Sequence, residues 1–210
     1  MKLLILGATG ATGRLLVDRA LAAGHAVTAL VRDPDKAGLP SDKIVLVKGR
    51  ATEADDVAGA AAGCDAVLSA LGPRTAKDPV CAEAARAVVD AMKRQGLKRV
   101  VWLSAGGVGD SAPQIRRASF VFGRIIMPLF LRRPYANHAR AEETLRASDL
   151  DWTVLRPVQL VDVSTGAQPA ALPIGEVVPA RLKIARTDVA AFMLDELVAR
   201  AHVGAMPILY

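Results

Sequence analysis

Gly7, Gly10 and Gly13 stand three apart in Gly7-Ala8-Thr9-Gly10-Ala11-Thr12-Gly13. The apolar run Lys2 to Leu6 precedes them, and an alanine- and leucine-rich stretch with helical periodicity follows. In such a strand–turn–helix the first glycine permits the tight turn. The second lets backbone approach a pyrophosphate, and the third lets the helix pack close to the strand. Backbone around Thr9, Ala11 and Thr12 then offers N–H groups and the helix dipole to an anion. Further positions with usable chemistry follow later apolar runs. Arg32 ends the second run, where an acidic side chain would grip a ribose 2′-hydroxyl; a guanidinium pairs with a 2′-phosphate instead. NADP(H) is therefore expected over NAD(H), with adjacent Asp33 the counterweight and a solvated surface role the alternative for Arg32. Gly72, in Leu71-Gly72-Pro73-Arg74, allows backbone contact with ribose or phosphate. Ser104 suits a hydrogen bond to a nicotinamide or a substrate carbonyl, or else satisfies a local turn.

The elements that must hold these residues alternate. Strands are expected at Lys2 to Leu6, Ala26 to Val31, Ile44 to Val47, Ala66 to Ala70, Arg99 to Leu103 and Trp152 to Leu155, with Pro207 to Tyr210 a short last one. Helices are expected at Thr12 to Ala23, Glu53 to Ala62, Pro79 to Arg94, Ala136 to Ala147 and Thr187 to Arg200, the last capped by Thr187 or Asp188. This rhythm predicts an α/β fold, a Rossmann-type doubly wound parallel sheet in one domain over 1–210. Segments 105–134 and 158–184 break the rhythm at carboxyl ends of strands, where open α/β sheets bind ligands. They read as a small substrate-side cap.

Apolar residues make up 52% of the chain, enough for a large core, while aromatics are only 4%, too few for base-stacking platforms. The +6 charge suits phosphorylated ligands, and with no Lys/Arg run beyond a pair nucleic acid is not expected. Cys64 and Cys81 have no metal or redox spacing and read as buried thiols; no metal site is expected. The start lacks a signal-peptide pattern and no apolar stretch would span a bilayer, so a cytoplasmic protein without a membrane partner is expected. The apolar segment 120–131, flanked by Arg116, Arg117, Arg132 and Arg133, reads equally as a lid over a flat hydrophobic, anionic substrate, a contact surface for a partner or second subunit, or a helix packed on the sheet edge. A monomer or homodimer fits all three.

GATGATG from Gly7, VRDP from Val31, ALGPR from Ala70, LSAGGVGD from Leu103 and HARAEETLRASDLDWTVLRP from His138 together resemble atypical short-chain dehydrogenase/reductases. The similarity is to the NAD(P)H-binding group that includes biliverdin reductase B (flavin reductase) and nitrogen-repression-regulator-like proteins. It implies NADP(H) at Gly7, Gly10, Gly13 and Arg32. It implies further contacts around Arg50 and Ala51, around Leu71, Gly72 and Arg74, and around Pro157, Val158 and Gln159. Ser104 and His138 would lie beside the nicotinamide. The chain departs from its relatives in three places. Tyr-x-x-x-Lys is missing, with Pro134 and His138 at those positions. Arg50 stands where relatives often carry Asp, and Gln159 where flavin reductases carry His.

Without that tyrosine–lysine pair, alcohol–ketone chemistry lacks its proton donor. A conjugated acceptor needs little beyond positioning against the nicotinamide. The readings are an NADPH-dependent oxidoreductase acting on a flavin-, quinone- or tetrapyrrole-like small molecule, a non-catalytic redox sensor, or an epimerase/dehydratase. His138 is a candidate proton donor or ribose ligand, or a histidine satisfied at a helix start. Tyr135 is a weaker donor candidate.

Overall fold

The computed structural model describes residues 1–119, 129–163, 169–173, 175–176 and 183–210. Parallel strands covered by helices on both faces must be apolar on both, and β1 (Lys2–Leu6) meets this. Successive side chains point to opposite faces. Leu3 and Ile5 join a core with α1 (Ala11–Ala22) and α6 (Arg186–Ala199). Leu4 and Leu6 join another with α2 (Ala54–Ala61) and α3 (Val80–Gln95).

Next to β1 lie β2 (Ala26–Val31) and then β3 (Val45–Lys48) on one side; β4 (Ala66–Ser69), β5 (Arg99–Leu103) and β6 (Asp151–Pro157) lie on the other. All six are parallel, in the order β3–β2–β1–β4–β5–β6 of a doubly wound dinucleotide fold. The strand order reverses between β1 and β4, so the loops after them diverge and leave a crevice. Two more helices complete the site: α4 (Ala112–Ala118) and α5 (Arg132–Arg146). Of the remaining strands, β7 (Gln159–Val161) and β9 (Lys183–Ala185) make a small parallel pair. β10 (Ile208–Leu209) runs parallel beside β6, and β8 (Ala171–Leu172) lies antiparallel at the edge.

Most expected elements are present within a residue or two, and three differ for physical reasons. Helix α5 begins four residues before the expected Ala136. Pro134 falls in its first turn, where no intrahelical N–H is required, so it does not mark a boundary. Strand β6 runs on through Arg156 and Pro157, because the Arg156 and Val158 N–H groups donate to Pro207 and Leu209 while Pro157 needs no partner there. Helix α6 starts at Arg186 after Ala185, with no side-chain cap, which overturns the Thr187 or Asp188 cap. The segment 105–134 contributes α4, and 158–184 contributes β7, β8 and β9, none of them expected. Gln114 of α4 donates to the Pro173 and Glu176 carbonyls at 3.2 and 2.7 Å, tying the two cap segments together. The apolar stretch 120–131 lies outside the described residues except Leu129, Phe130 and Leu131, the first two of which are exposed.

Candidate dinucleotide-binding site

The turn after β1 is shaped by contacts only glycine permits. Gly7 has φ +74°, and a Cβ there would stand 2.7 Å from the Ala70 carbonyl oxygen at the end of β4. A Cβ at Gly13 would stand 2.0 Å from the Gly7 oxygen. Helix α1 thus crosses the turn at a distance no side chain allows. The Gly10 N–H donates to the Gly7 carbonyl at 2.9 Å, and the first helical bond runs from the Arg14 N–H to the Gly10 carbonyl. The N–H groups of Ala11, Thr12 and Gly13 are left without intrahelical acceptors. Thr12 and Gly13 are buried behind the turn; Thr9 and Gly10 are exposed in front of it.

Arg14 fixes this turn to its neighbour. Its guanidinium donates to the carbonyls of Thr9, Ala37 and Gly38 at 3.2, 2.7 and 2.5 Å, joining the glycine turn to the loop after β2. Sequence reading passed over Arg14; its place directly after the third glycine was the available signal.

A cavity of about 570 Å³ opens in the crevice, with Gly7, Thr9 and Gly10 at its floor. Arg32, Arg50 and Ala51 line one end, and Leu71, Gly72 and Arg74 the other. Asp33 does not line it; its carboxylate pairs with Lys36 at 3.0 Å. None of the three arginine side chains has an ion-pair partner among the described residues. Backbone bonds hold their loops: the Arg50 N–H donates to Asp56 at 2.8 Å, and the Arg74 and Val80 N–H groups both donate to Asp78 at 3.1 Å. Glycine backbone where a Cβ cannot stand, free helix N–H groups and unpaired guanidinium groups together fit a dinucleotide.

The second group of expected residues lies outside this cavity, where α5 meets the ends of β5 and β6. Tyr135, His138 and Glu142 follow one another at helical spacing on one face of α5. The Ser104 hydroxyl donates to Glu142 Oε1 at 2.6 Å. Arg156, only 1% exposed, donates to both Glu142 oxygens at 3.0 and 2.7 Å and to Asp110 at 2.5 Å. Tyr135 donates its hydroxyl to the Gly106 carbonyl at 3.0 Å, and burial raises its pKa to about 12. The Ser104 and Gly106 N–H groups donate to the Leu155 and Pro157 carbonyls, so this loop extends the β5–β6 pairing. Pro157 and Val158 are buried beneath it, and Gln159 is exposed on β7.

His138 is buried, its Nε2 4.0 Å from the Cys81 sulfur, and its Nδ1 has no partner. Burial lowers its pKa to about 4 and raises that of Cys81 to about 12, with nearby Asp78 adding to the latter. Both are neutral at neutral pH. Asn137 beside them accepts from the Cys81 and Ala82 N–H groups at 2.9 and 3.3 Å, capping α3 from another helix. Sequence reading missed Asn137, Glu142, Arg156 as a side chain, and Asp110, because nothing local marks a partner dozens of residues away.

The lowered His138 pKa sets an acid dependence. Above pH 6.5 neither state of the ring is charged and it contributes no slope. Between pH 6.5 and 4 the unfolded chain takes a proton that the folded chain refuses, so stability falls as pH falls. His138 alone removes about 3 kcal/mol across that window. His138→Gln should flatten that limb of a urea-denaturation profile; an unchanged limb would contradict the buried neutral ring.

The NAD(P)H-binding family matches residues 7–200. The chain belongs to that family. Its fold superimposes on ChuY, an anaerobilin reductase from Escherichia coli O157:H7, with TM-score 0.80 and 26% identity, covering 100% of this chain and 96% of that one. A short-chain dehydrogenase/reductase from Veillonella parvula, solved in complex with NADP, gives TM-score 0.81 at 17% identity, covering 99% and 93%. An uncharacterized chloroplastic protein of Arabidopsis thaliana is 29% identical over 167 residues, 74% of this chain. The chain spans 58% of that relative's length. Among the described residues no helix is long and apolar enough to cross a membrane, and no group of three His, Cys, Asp or Glu side chains could hold a metal ion.

Proposed function

We propose that this protein is an NADPH-dependent reductase delivering hydride to a planar, conjugated small molecule of flavin-, quinone- or tetrapyrrole-like type. The observation that carries it is the pairing of a dinucleotide cavity with a reaction end that aims no hydroxyl proton outward. Tyr135 and Ser104 both spend their protons on protein acceptors, and His138 is neutral. A forming alkoxide would find no ready acid, whereas a conjugated acceptor takes its proton later from water. When bound, the nicotinamide supplies the hydride. The chain's own part is to hold phosphates on the glycine turn and α1 and to pair a 2′-phosphate with Arg32. Similarity to ChuY supports a tetrapyrrole-like acceptor. With both cysteines buried and free, we place this activity in the cytoplasm, in one domain acting as monomer or homodimer, with neither nucleic acid nor a membrane as partner.

Titration with NADPH and NADH tests the cofactor. Arg32→Ala should weaken NADPH binding roughly ten- to hundredfold through loss of a charge-assisted bond, leaving NADH unchanged. Equal loss for both would remove the 2′-phosphate assignment. Addition of flavin should then bleach the reduced nicotinamide band. Tight NADPH binding without bleaching by any conjugated acceptor would favour the second reading, a redox sensor, which the same inward-turned protons also fit.

A further inference from the structure

We infer that Ser104 and Tyr135 act toward the substrate as hydrogen-bond acceptors, so that this site selects conjugated molecules carrying N–H or O–H donors. This rests on the reductase reading and narrows its substrate class. A hydroxyl has one proton and two lone pairs. The Ser104 proton lies on Glu142 Oε1 at 2.6 Å, the short distance of a bond to a carboxylate. Arg156 holds that carboxylate in place through both oxygens, from a position almost wholly shielded from water. The Tyr135 proton lies on the Gly106 carbonyl, itself fixed through the Gly106 N–H to Pro157. Neither oxygen accepts a hydrogen bond from any described residue, so both keep their lone pairs free. Turning Ser104 toward a substrate carbonyl would strip Glu142 of a charge-assisted bond, whereas accepting from a substrate donor breaks nothing. Both oxygens sit around one short loop, Ser104 to Gly106, at the end of β5 next to the strand whose loop lines the cavity. A lactam, pyrrole or imide N–H meets such a site; a simple quinone, with carbonyls only, does not.

Riboflavin and 3-methylriboflavin differ by one N–H donor. Their dissociation constants are to be measured by quenching of flavin fluorescence on protein saturated with NADP⁺, so that no turnover occurs. In the unmodified protein the methyl compound should bind about five- to tenfold more weakly, the usual value of one hydrogen bond. In Ser104→Ala, which leaves Glu142 its two bonds from Arg156, that ratio should fall below about twofold. Tyr135→Phe reads the other oxygen in the same way. Equal binding of the two flavins, a ratio that survives both substitutions, or no binding of either flavin to the NADP⁺-loaded protein would overturn the inference. Failure to bind NADP⁺ itself would instead strike the reductase reading, and the same flavin titration without dinucleotide would still read the two hydroxyls.

Discussion

Gly13→Ala is expected to weaken NADPH binding more than a hundredfold and to lower stability by about 1–3 kcal/mol, the usual cost of forcing one carbon into a filled space. The added carbon would stand 2.0 Å from the Gly7 oxygen, 2.8 Å from its carbonyl carbon and 2.9 Å from the Ala8 Cα. All three are backbone atoms and none can swing aside. Helix α1 must lift off the turn, carrying its free N–H groups away from the phosphates. Gly10→Ala separates the two effects. Its Cβ meets only the Gly7 oxygen, at 3.3 Å, so the fold should survive with a nearly unchanged Tm. The new methyl still stands on the exposed front of the turn, where it would displace a pyrophosphate. Gly24→Ala is the control for strain alone: φ is +76° with nothing within 4 Å, so about 1 kcal/mol of stability is lost and binding is kept. Calorimetric Tm and NADPH titration on the three variants distinguish these outcomes. Normal NADPH binding by Gly13→Ala would mean that the turn does not hold the phosphates.

The sheet was legible because its information is local. Six valine- and leucine-rich runs, each closed by Gly, Pro or a polar residue, announce buried parallel strands, and all six pair as that pattern requires. The cap was not legible in the same way. β8 has two residues and β7 and β9 three each, too short to show a period. Their partners come from sequence-distant segments: β8 pairs with β10, and Gln114 reaches Pro173 and Glu176. α4 has only seven residues and carries a proline in its first turn, which reads equally well as a loop.

At the site, the positions were more legible than the roles. The glycine turn and Arg32 follow from spacing at a strand end, and both line the cavity with Arg50, Ala51, Leu71, Gly72 and Arg74. Ser104, Tyr135 and His138 lie outside that cavity, the first two against the loop after β5 and the third against Cys81 of α3. What spacing could not show is the direction of their protons. Tyr135 and Ser104 look like donors in a sequence; only Gly106 and Glu142, brought in by the fold, turn them into acceptors. His138 has the same ring at any position, and it is burial against Cys81 and α3 that keeps it neutral down to about pH 4.

Arg156→Met should lower stability by about 3–5 kcal/mol, the cost of stranding a buried partner charge, and Tm by about 6–20 °C in a chain of this size. Methionine approximates the length of the side chain and none of its charge. Glu142, 3% exposed, would keep only the Ser104 hydroxyl, and Asp110 would lose its shorter contact. The neighbouring pair Arg146–Asp110 supplies the contrast. It shares the same aspartate at 3.8 Å, but its side chains are 56% and 50% exposed, so water already solvates both charges. Arg146→Ala should therefore change stability by no more than about 0.5 kcal/mol. Glu142→Gln leaves an oxygen for Ser104 and removes the buried negative charge. Combined with Arg156→Met it should recover much of the single-variant loss, because no unpaired ion then remains in the core. Urea denaturation of the four variants yields the coupling directly. Additive losses, or an Arg156→Met variant as stable as Arg146→Ala, would show that the guanidinium does not hold Glu142, and with it would go the reason for the Ser104 proton to point inward.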